Sequence, residues 1–270
     1  MKLEPFFLDT AGGRCFALHR GPDGGAKRHV LFVPGFNEEM NRCRSMLAFM
    51  AEKLAAQGIG SLLLDLHGTG ESQGQHGDAR WENWLRNLDA AVSWLEQRGQ
   101  CAALIGVRLG AMLAADWMRS APGRVPKLLL WQPVLDGQTS MTQFLRVRIA
   151  ANMDRSDLPK ETTQGMREQW ARGESVEVAG YEIHPELARA IDAAKLADLV
   201  PPAGTKVSWF SHFNPATGGA TPAETKAIEG WRQAGARVEA ACFNGEAFWQ
   251  VHQRASAPEL IELSLKAVNA

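Results

Sequence analysis

The chain has 270 residues, 45% of them hydrophobic and 22% charged, with a formal net charge of −1. That length and balance suit one large globular domain with room for a small insertion. A near-neutral chain without a Lys/Arg-rich run gives no reason to expect nucleic acid or an anionic membrane as partner. In chain order, PFFLDT and RCFALHR flank Ala11-Gly12-Gly13, which predicts an antiparallel hairpin. RHVLFVPGF reads as a buried strand. The helix after it places Cys43, Met46, Leu47, Met50 and Leu54 at spacings of three and four. GSLLLDLHG is the next strand, ending at Leu66, and Trp81, Trp84, Leu85, Leu88, Val92 and Leu95 mark one face of a second helix. A strand over 101–106, a helix from Leu109 and a strand KLLLWQPV continue the alternation. Residues 136–200 break it, with the apolar-and-arginine stretch MTQFLRVRIA, a polar run, and PELARAIDAAKLADL as a helix. Strand KVSWFSHF, helix 222–234, strand ARVEAACF and a helix near 257–268 complete the order.

Strands alternating with helices argue for an α/β fold, a mostly parallel sheet with helices on both faces. An antiparallel entry hairpin on such a sheet fits the α/β-hydrolase pattern. The expected organisation is a core from 1–135 and 201–270, with 136–200 as a helical cap insertion over the site. The first residues, MKLEPFFLDT, lack an apolar leader and no run of 18 apolar residues occurs, so a cytoplasmic chain without membrane insertion is expected. Four well-separated cysteines, Cys15, Cys43, Cys101 and Cys242, read as buried free thiols. The seven histidines show no H-x-x-x-H pairing, so neither a metal nor a cofactor is expected.

Two stretches resemble a nucleophile elbow, the G-x-S-x-G turn in which a strand runs directly into a serine and a helix leaves it. Gly70-Glu71-Ser72-Gln73-Gly74 has the letters, but Ser72 stands six residues beyond the expected strand and is followed by a loop-like QGQHGD. Its context argues against a nucleophile. Gly106-Val107-Arg108-Leu109-Gly110 has the context, and an arginine in place of serine. A guanidinium cannot act as nucleophile or general base, but it grips a carboxylate or phosphate through two hydrogen bonds. The neighbouring helix N-terminus favours the same anions. Two compatible readings stay open for Arg108: an ion pair with Glu38 or Glu39 of the PGFNEEM loop, or an anion grip.

The other triad positions offer no replacement. Ser211, His212, Phe213 and Asn214 stand where an acid is expected, and Asn244 to Trp249 stand where a histidine is expected. His252 lies several residues further on. Glu38, Glu39 and Glu246 all come from loops at the C-terminal edge of the sheet, where open α/β folds bind ligands. An exposed or salt-bridged role carries more weight for Glu246 than for Glu39. His67 reads as a turn residue that could face the cleft, and Asp65 as one that positions its own loop. Trp131, Phe248 and Trp249 could line a pocket, although core packing is the commoner fate.

FNEEMNRCRSM, DLHGTGES, GVRLGAMLA, LLLWQPVLDGQTSMTQFLRVRIA, GESVEVAGY and Phe248-Trp249 together resemble the exosortase A system-associated hydrolase 2 family, within the α/β-hydrolase superfamily. The resemblance runs over nearly the whole chain. It implies a bacterial cytoplasmic protein linked to exopolysaccharide and protein-sorting functions, and an arginine elbow that belongs to the family pattern. The family's hydrolase label follows from fold and does not establish activity.

Two functions follow as expectations. In the first, water activated by Glu39 or Glu38 hydrolyses an ester, thioester or related acyl group, and Arg108 stabilises the oxyanion. In the second, an inactive hydrolase fold uses Arg108 to bind an anionic ligand or partner, for instance a glycan precursor. Expected ligand contacts are Arg108, Phe36, Asn37, Leu109, Trp249 and Glu246.

Overall fold

The structure, a computed structural model, describes residues 1–153, 160–216, 218–251, 253 and 255–270. Strands β1 (Lys2–Thr10) and β2 (Gly13–Gly21) form the expected hairpin, with Thr10 opposite Gly13 across a two-residue turn. β3 (Arg28–Val33), β4 (Gly60–Leu64), β5 (Gln100–Val107) and β6 (Lys127–Trp131) follow in sequence. Helices α1 (Glu38–Ala56), α2 (Trp81–Glu96) and α3 (Leu109–Ser120) connect them. The strand expected to reach Leu66 ends at Leu64, because Asp65 turns its carboxylate back onto its own loop.

Residues 137–198 comprise α4 (Gly137–Ala151), α5 (Thr163–Ala171), a hairpin of β7 (Val176–Val178) and β8 (Tyr181–Ile183), α6 (Pro185–Ala193) and a 3-10 turn Leu196–Asp198. The polar run thus holds a helix and a hairpin that its composition hides. Val176, Val178 and Ile183 are buried, and Ala179 and Gly180 both take positive φ, the conformation of a tight hairpin turn. The helix expected over PELARAIDAAKLADL stops at Ala193. Lys195 instead bridges Asp136, and the Gly137 N–H donates to the Ala194 carbonyl.

β9 (Lys206–His212), α7 (Pro222–Gln233), β10 (Arg237–Phe243) and α8 (Pro258–Asn269) close the chain. The eight-stranded sheet runs β1-β2-β4-β3-β5-β6-β9-β10, antiparallel at the entry hairpin and at β2/β4, parallel elsewhere. Side chains alternate along each strand, so one core face holds Leu31, Leu104 and Leu130 against α2 and α3. The other holds Phe32, Ile105 and Trp131 against α1 and α8. The expected helix faces are buried, with Leu85 only partly so.

The four thiols are free. Three are buried and Cys242 is half-buried, which corrects the expectation for that residue. Burial pushes Cys15 up to about 11 and Cys101 up to about 12, leaving both as unreactive thiols. No described helix is long and apolar enough to cross a membrane.

At the opposite edge of the sheet from the strand C-termini, the rings of His19 and His29 lie 5.5 Å apart, and neither nitrogen of His29 has a hydrogen-bond partner. Burial holds both below the usual histidine value of 6.5, against the opposing pull of Glu4 on His19. The unfolded chain therefore binds more protons below that value, and stability contributed by the neutral pair is full above about pH 6.5 and lost as pH falls below it. Urea midpoints are expected to stay level near pH 8 and decline from about pH 6.5 downward. A His19→Gln/His29→Gln double variant should show a shallower decline; an unchanged slope would refute the assignment.

Candidate functional site

Three non-glycine residues with positive φ lie just beyond adjacent strands at the C-terminal edge of the sheet. They are Asn37 (φ 53°) after β3, Arg108 (φ 54°) after β5 and Gln132 (φ 44°) after β6. Each costs about 1–3 kcal/mol and persists only where surrounding structure imposes it. At Arg108 the imposition is visible. Its N–H donates to the Trp131 carbonyl at 3.0 Å, and its carbonyl accepts from Ala111 at 3.1 Å and Val134 at 3.3 Å. Gly106 and Gly110 permit the strand–helix crossing, since a Cβ at Gly106 would lie 2.5 Å from Ala111 Cα. One at Gly110 would lie 2.1 Å from the Pro34 carbonyl oxygen. The turn is a true elbow, with arginine at its apex.

The Arg108 guanidinium is held on three sides. Nε donates to Glu39 Oε1 at 2.9 Å, Nη1 donates to the Gln132 carbonyl at 2.9 Å, and Cζ lies 5.5 Å from the Trp249 ring centre. The left-handed turn at Gln132 aims that carbonyl at Arg108, while the Gln132 side chain accepts from the His212 N–H. Arg108 and Glu39 are mostly buried, with side chains 17% and 28% exposed. The ion-pair reading thus names Glu39 as partner. Glu39 Oε2 and Arg108 Nη2 make no hydrogen bond within the described residues.

Glu38 points elsewhere. Tyr181 of the β7–β8 hairpin donates to Glu38 Oε1 at 2.6 Å, and burial pushes that phenol well above its ordinary range, keeping it a donor. Asn37 precedes α1 without a side-chain bond to its first turn, is 3% exposed, and meets the His76 ring with Oδ1 at 2.6 Å from Nε2. Phe36 packs against Trp84 and Phe144. The amides of Phe36 and Leu109 make no hydrogen bond within the described residues. Both residues line a narrow apolar cavity with Asn37, Trp81, Trp84 and Leu113.

Of the remaining expected residues within the described part of the chain, Trp249 alone stands beside Arg108. Glu246 is exposed and closes its own loop, Oε2 accepting from the Ser256 N–H at 2.9 Å. Trp249 does stand beside Arg108, stacked edge-on against Phe248 and His212. Trp131 and Phe248 are core residues, the indole of Trp131 donating to Ser264 Oγ. The His67 ring lies between Gly13 and Gly74, not in the cavity. His252 lies outside the described residues. Asp65 holds its loop by accepting from both Arg44 and the Glu71 N–H.

Ser72 donates to the Asp65 carbonyl at 2.6 Å and accepts from the Phe16 N–H at 2.8 Å, so its hydroxyl joins that loop to β2. His212 occupies the acid position after β9, where its Nε2 donates to the Gly245 carbonyl at 2.8 Å. His76, Gln132 and Tyr181 were not singled out in the sequence. They reach the site through a loop, a strand end and a hairpin whose positions depend on distant packing. Among the described residues no group of three His, Cys, Asp or Glu could hold a metal ion.

No curated protein matches the chain significantly. Among solved structures, the α/β hydrolase GrgF of Penicillium sp. sh18 superposes with a TM-score of 0.68 at 15% identity, covering 100% of this chain and 98% of that one. The esterase EaEST of Exiguobacterium antarcticum gives 0.64 at 14% identity, over 99% and 100%. Est1E of Butyrivibrio proteoclasticus, with ferulic acid bound, gives 0.63 at 14% identity, over 97% and 96%. At such identities the likeness concerns the fold, which is the α/β-hydrolase fold. The model of the Hydrolase_4 family, serine aminopeptidase S33, matches residues 24–201, and the chain belongs to that family.

Proposed function

We propose that the protein hydrolyses an acyl ester or thioester with an anionic portion, by direct attack of water and without a Ser-His-Asp triad. The observation that carries this reading is the Arg108–Glu39 pair at the elbow, beside the unpartnered amides of Phe36 and Leu109. Glu39 Oε2 takes a proton from water as the water oxygen bonds to the acyl carbon. The two amides hold the oxyanion as the carbonyl π bond opens. Collapse expels an alkoxide or thiolate, which regains the proton from Glu39. Arg108 orients Glu39 through Nε and keeps Nη2 for the substrate's negative group.

Residues 136–200 act as the cap in this reading. Support comes from the hairpin, whose Tyr181 hydroxyl and Glu182 carbonyl reach Glu38 and His76. The resemblance of GVRLGAMLA and GESVEVAGY to the exosortase A system-associated hydrolase 2 family supports a role beside bacterial exopolysaccharide export, with a small anionic substrate such as a glycan precursor.

The Nη2 of Arg108, which makes no hydrogen bond within the described residues, also favours a second reading, a binding protein that holds an anion on Arg108 without turning it over. A panel of acyl esters and thioesters, assayed with and without a fluorophosphonate, separates the three cases. Turnover that survives the reagent, with no adduct by intact mass, is expected. Turnover abolished by a stoichiometric adduct would mean a serine nucleophile and refute the proposal, and no turnover on any member would favour binding.

A further inference from the structure

Among the described residues, Asn37 is the one strongly buried polar side chain lining the cavity beside the elbow, and its amide nitrogen has no hydrogen-bond partner among them. Its oxygen faces His76 Nε2 at 2.6 Å, and His76 Nδ1 lies 2.8 Å from the Glu182 carbonyl. A carbonyl only accepts, so Nδ1 carries a proton. Satisfying Oδ1 of Asn37 as well would need a second proton on Nε2, and hence an imidazolium. Burial opposes that charge and holds His76 below the usual histidine range.

The charged and titratable neighbours are Glu182 on the hairpin, whose carboxylate lies against Gly77, and Tyr181, whose ring meets His76 edge-on with Glu38 behind it. Asp78 and Arg80 share the His76 segment, with Asp78 accepting from the Gln75 N–H and Arg80 paired to Glu186 of α6. Both acids beyond the hairpin are thus engaged with other partners. With neutral His76, Nδ1–H stays on Glu182 and Nε2 accepts. The Asn37 amide then turns half a revolution about χ2, so that Nδ2 donates to Nε2 and Oδ1 becomes the atom without a partner.

We infer that this cavity is a subsite for an apolar group bearing a hydroxyl or amide N–H, which donates to Asn37 Oδ1 while His76 holds the amide in that orientation. The walls accept the apolar part on Trp81, Trp84, Leu109 and Leu113. A single buried acceptor rejects a group with no donor, because Oδ1 would stay unpaired. The inference adds a substrate class to the acyl-hydrolase reading and rests on it for the use of the site. Asn37 contacts ligand; His76 is a positioning residue.

Two probes without an acyl bond test this at about pH 8: butan-1-ol, which donates, and methyl propyl ether, which only accepts. Binding is read from the methyl NMR shifts of Met40 and Leu113. The alcohol is expected to bind the wild-type protein about five- to tenfold more tightly. His76→Gln, whose side-chain oxygen can accept in place of Nε2, should keep that preference, and His76→Leu should lose it. Equal affinities in the wild type, no saturable shift, or a preference retained in His76→Leu would overturn the inference.

Should His76→Leu fail to fold, the ring 15N shifts of His76 in the wild type decide instead. A protonated Nδ1 with bare Nε2 is expected, and the opposite tautomer overturns the proposal. Absence of acyl hydrolysis would refute the reading in the preceding subsection while leaving the probe result intact, so the two failures are distinguishable.

Discussion

Replacing Glu39 by glutamine is expected to lower kcat/KM about 10²–10⁴-fold, the usual contribution of a positioned general base. The amide is nearly isosteric and retains an oxygen for Arg108 Nε, now 2.9 Å from Glu39 Oε1, but it cannot take a proton from water. Stability should also fall by about 1–3 kcal/mol, because the pair is mostly buried and the amide leaves the Arg108 charge without its counter-charge. Glu38→Gln is the matched control. Its carboxylate accepts from Tyr181, and a carboxamide oxygen can accept in its place, so turnover should remain within about threefold of wild type. Measured kcat/KM and melting temperatures check both variants. Full activity in Glu39→Gln would remove Glu39 as the base.

Substituting Gly110 by alanine should be among the most damaging single-methyl changes in the protein. The new Cβ would stand 2.1 Å from the Pro34 carbonyl oxygen and 2.5 Å from that of Val33, both backbone atoms that cannot rotate away. The loop leading to Phe36, Asn37 and Glu39 would have to move outward. Overpacking of this severity costs about 3 kcal/mol, which lowers the melting temperature by roughly 6–12 °C in a chain of this size. Activity should fall further than stability predicts, because the displaced loop carries the proposed base and an oxyanion amide. Gly230→Ala provides the contrast. Gly230 lies within α7, its Cβ would meet nothing within 4 Å, and alanine there should gain about 0.5–1 kcal/mol of helix stability. Calorimetry of the two variants tests the argument; equal melting temperatures would refute it.

The fold was legible because its signals are local. Two-residue alternation in the strands, three-and-four spacing in α1 and α2, and glycines around the elbow each follow from neighbouring residues alone. Where a distant partner decided the outcome, the reading shifted. Composition hides β7 and β8, since three-residue strands are too short for periodicity and owe their formation to burial of Val176, Val178 and Ile183. The helix after Pro185 ends early because the segment is captured by Asp136 and Gly137, nearly sixty residues upstream. The half-exposure of Cys242 is equally a matter of neighbours.

At the site the division is similar. The sequence by itself determined that an arginine, with no nucleophilic or basic capacity, stands at the apex of a strand–turn–helix elbow. It also determined that an acidic pair follows the neighbouring strand. Only the tertiary structure decided that Glu39 meets Arg108 while Glu38 meets Tyr181, because adjacent helical residues diverge by about 100° and find different walls. It also decided the left-handed turn at Gln132, the burial of Asn37 against His76, and the retreat of Glu246 into its own loop. Residue type limits the chemistry a side chain can perform. Which partner it performs that chemistry with depends on packing between segments far apart in the chain, and no local pattern encodes that.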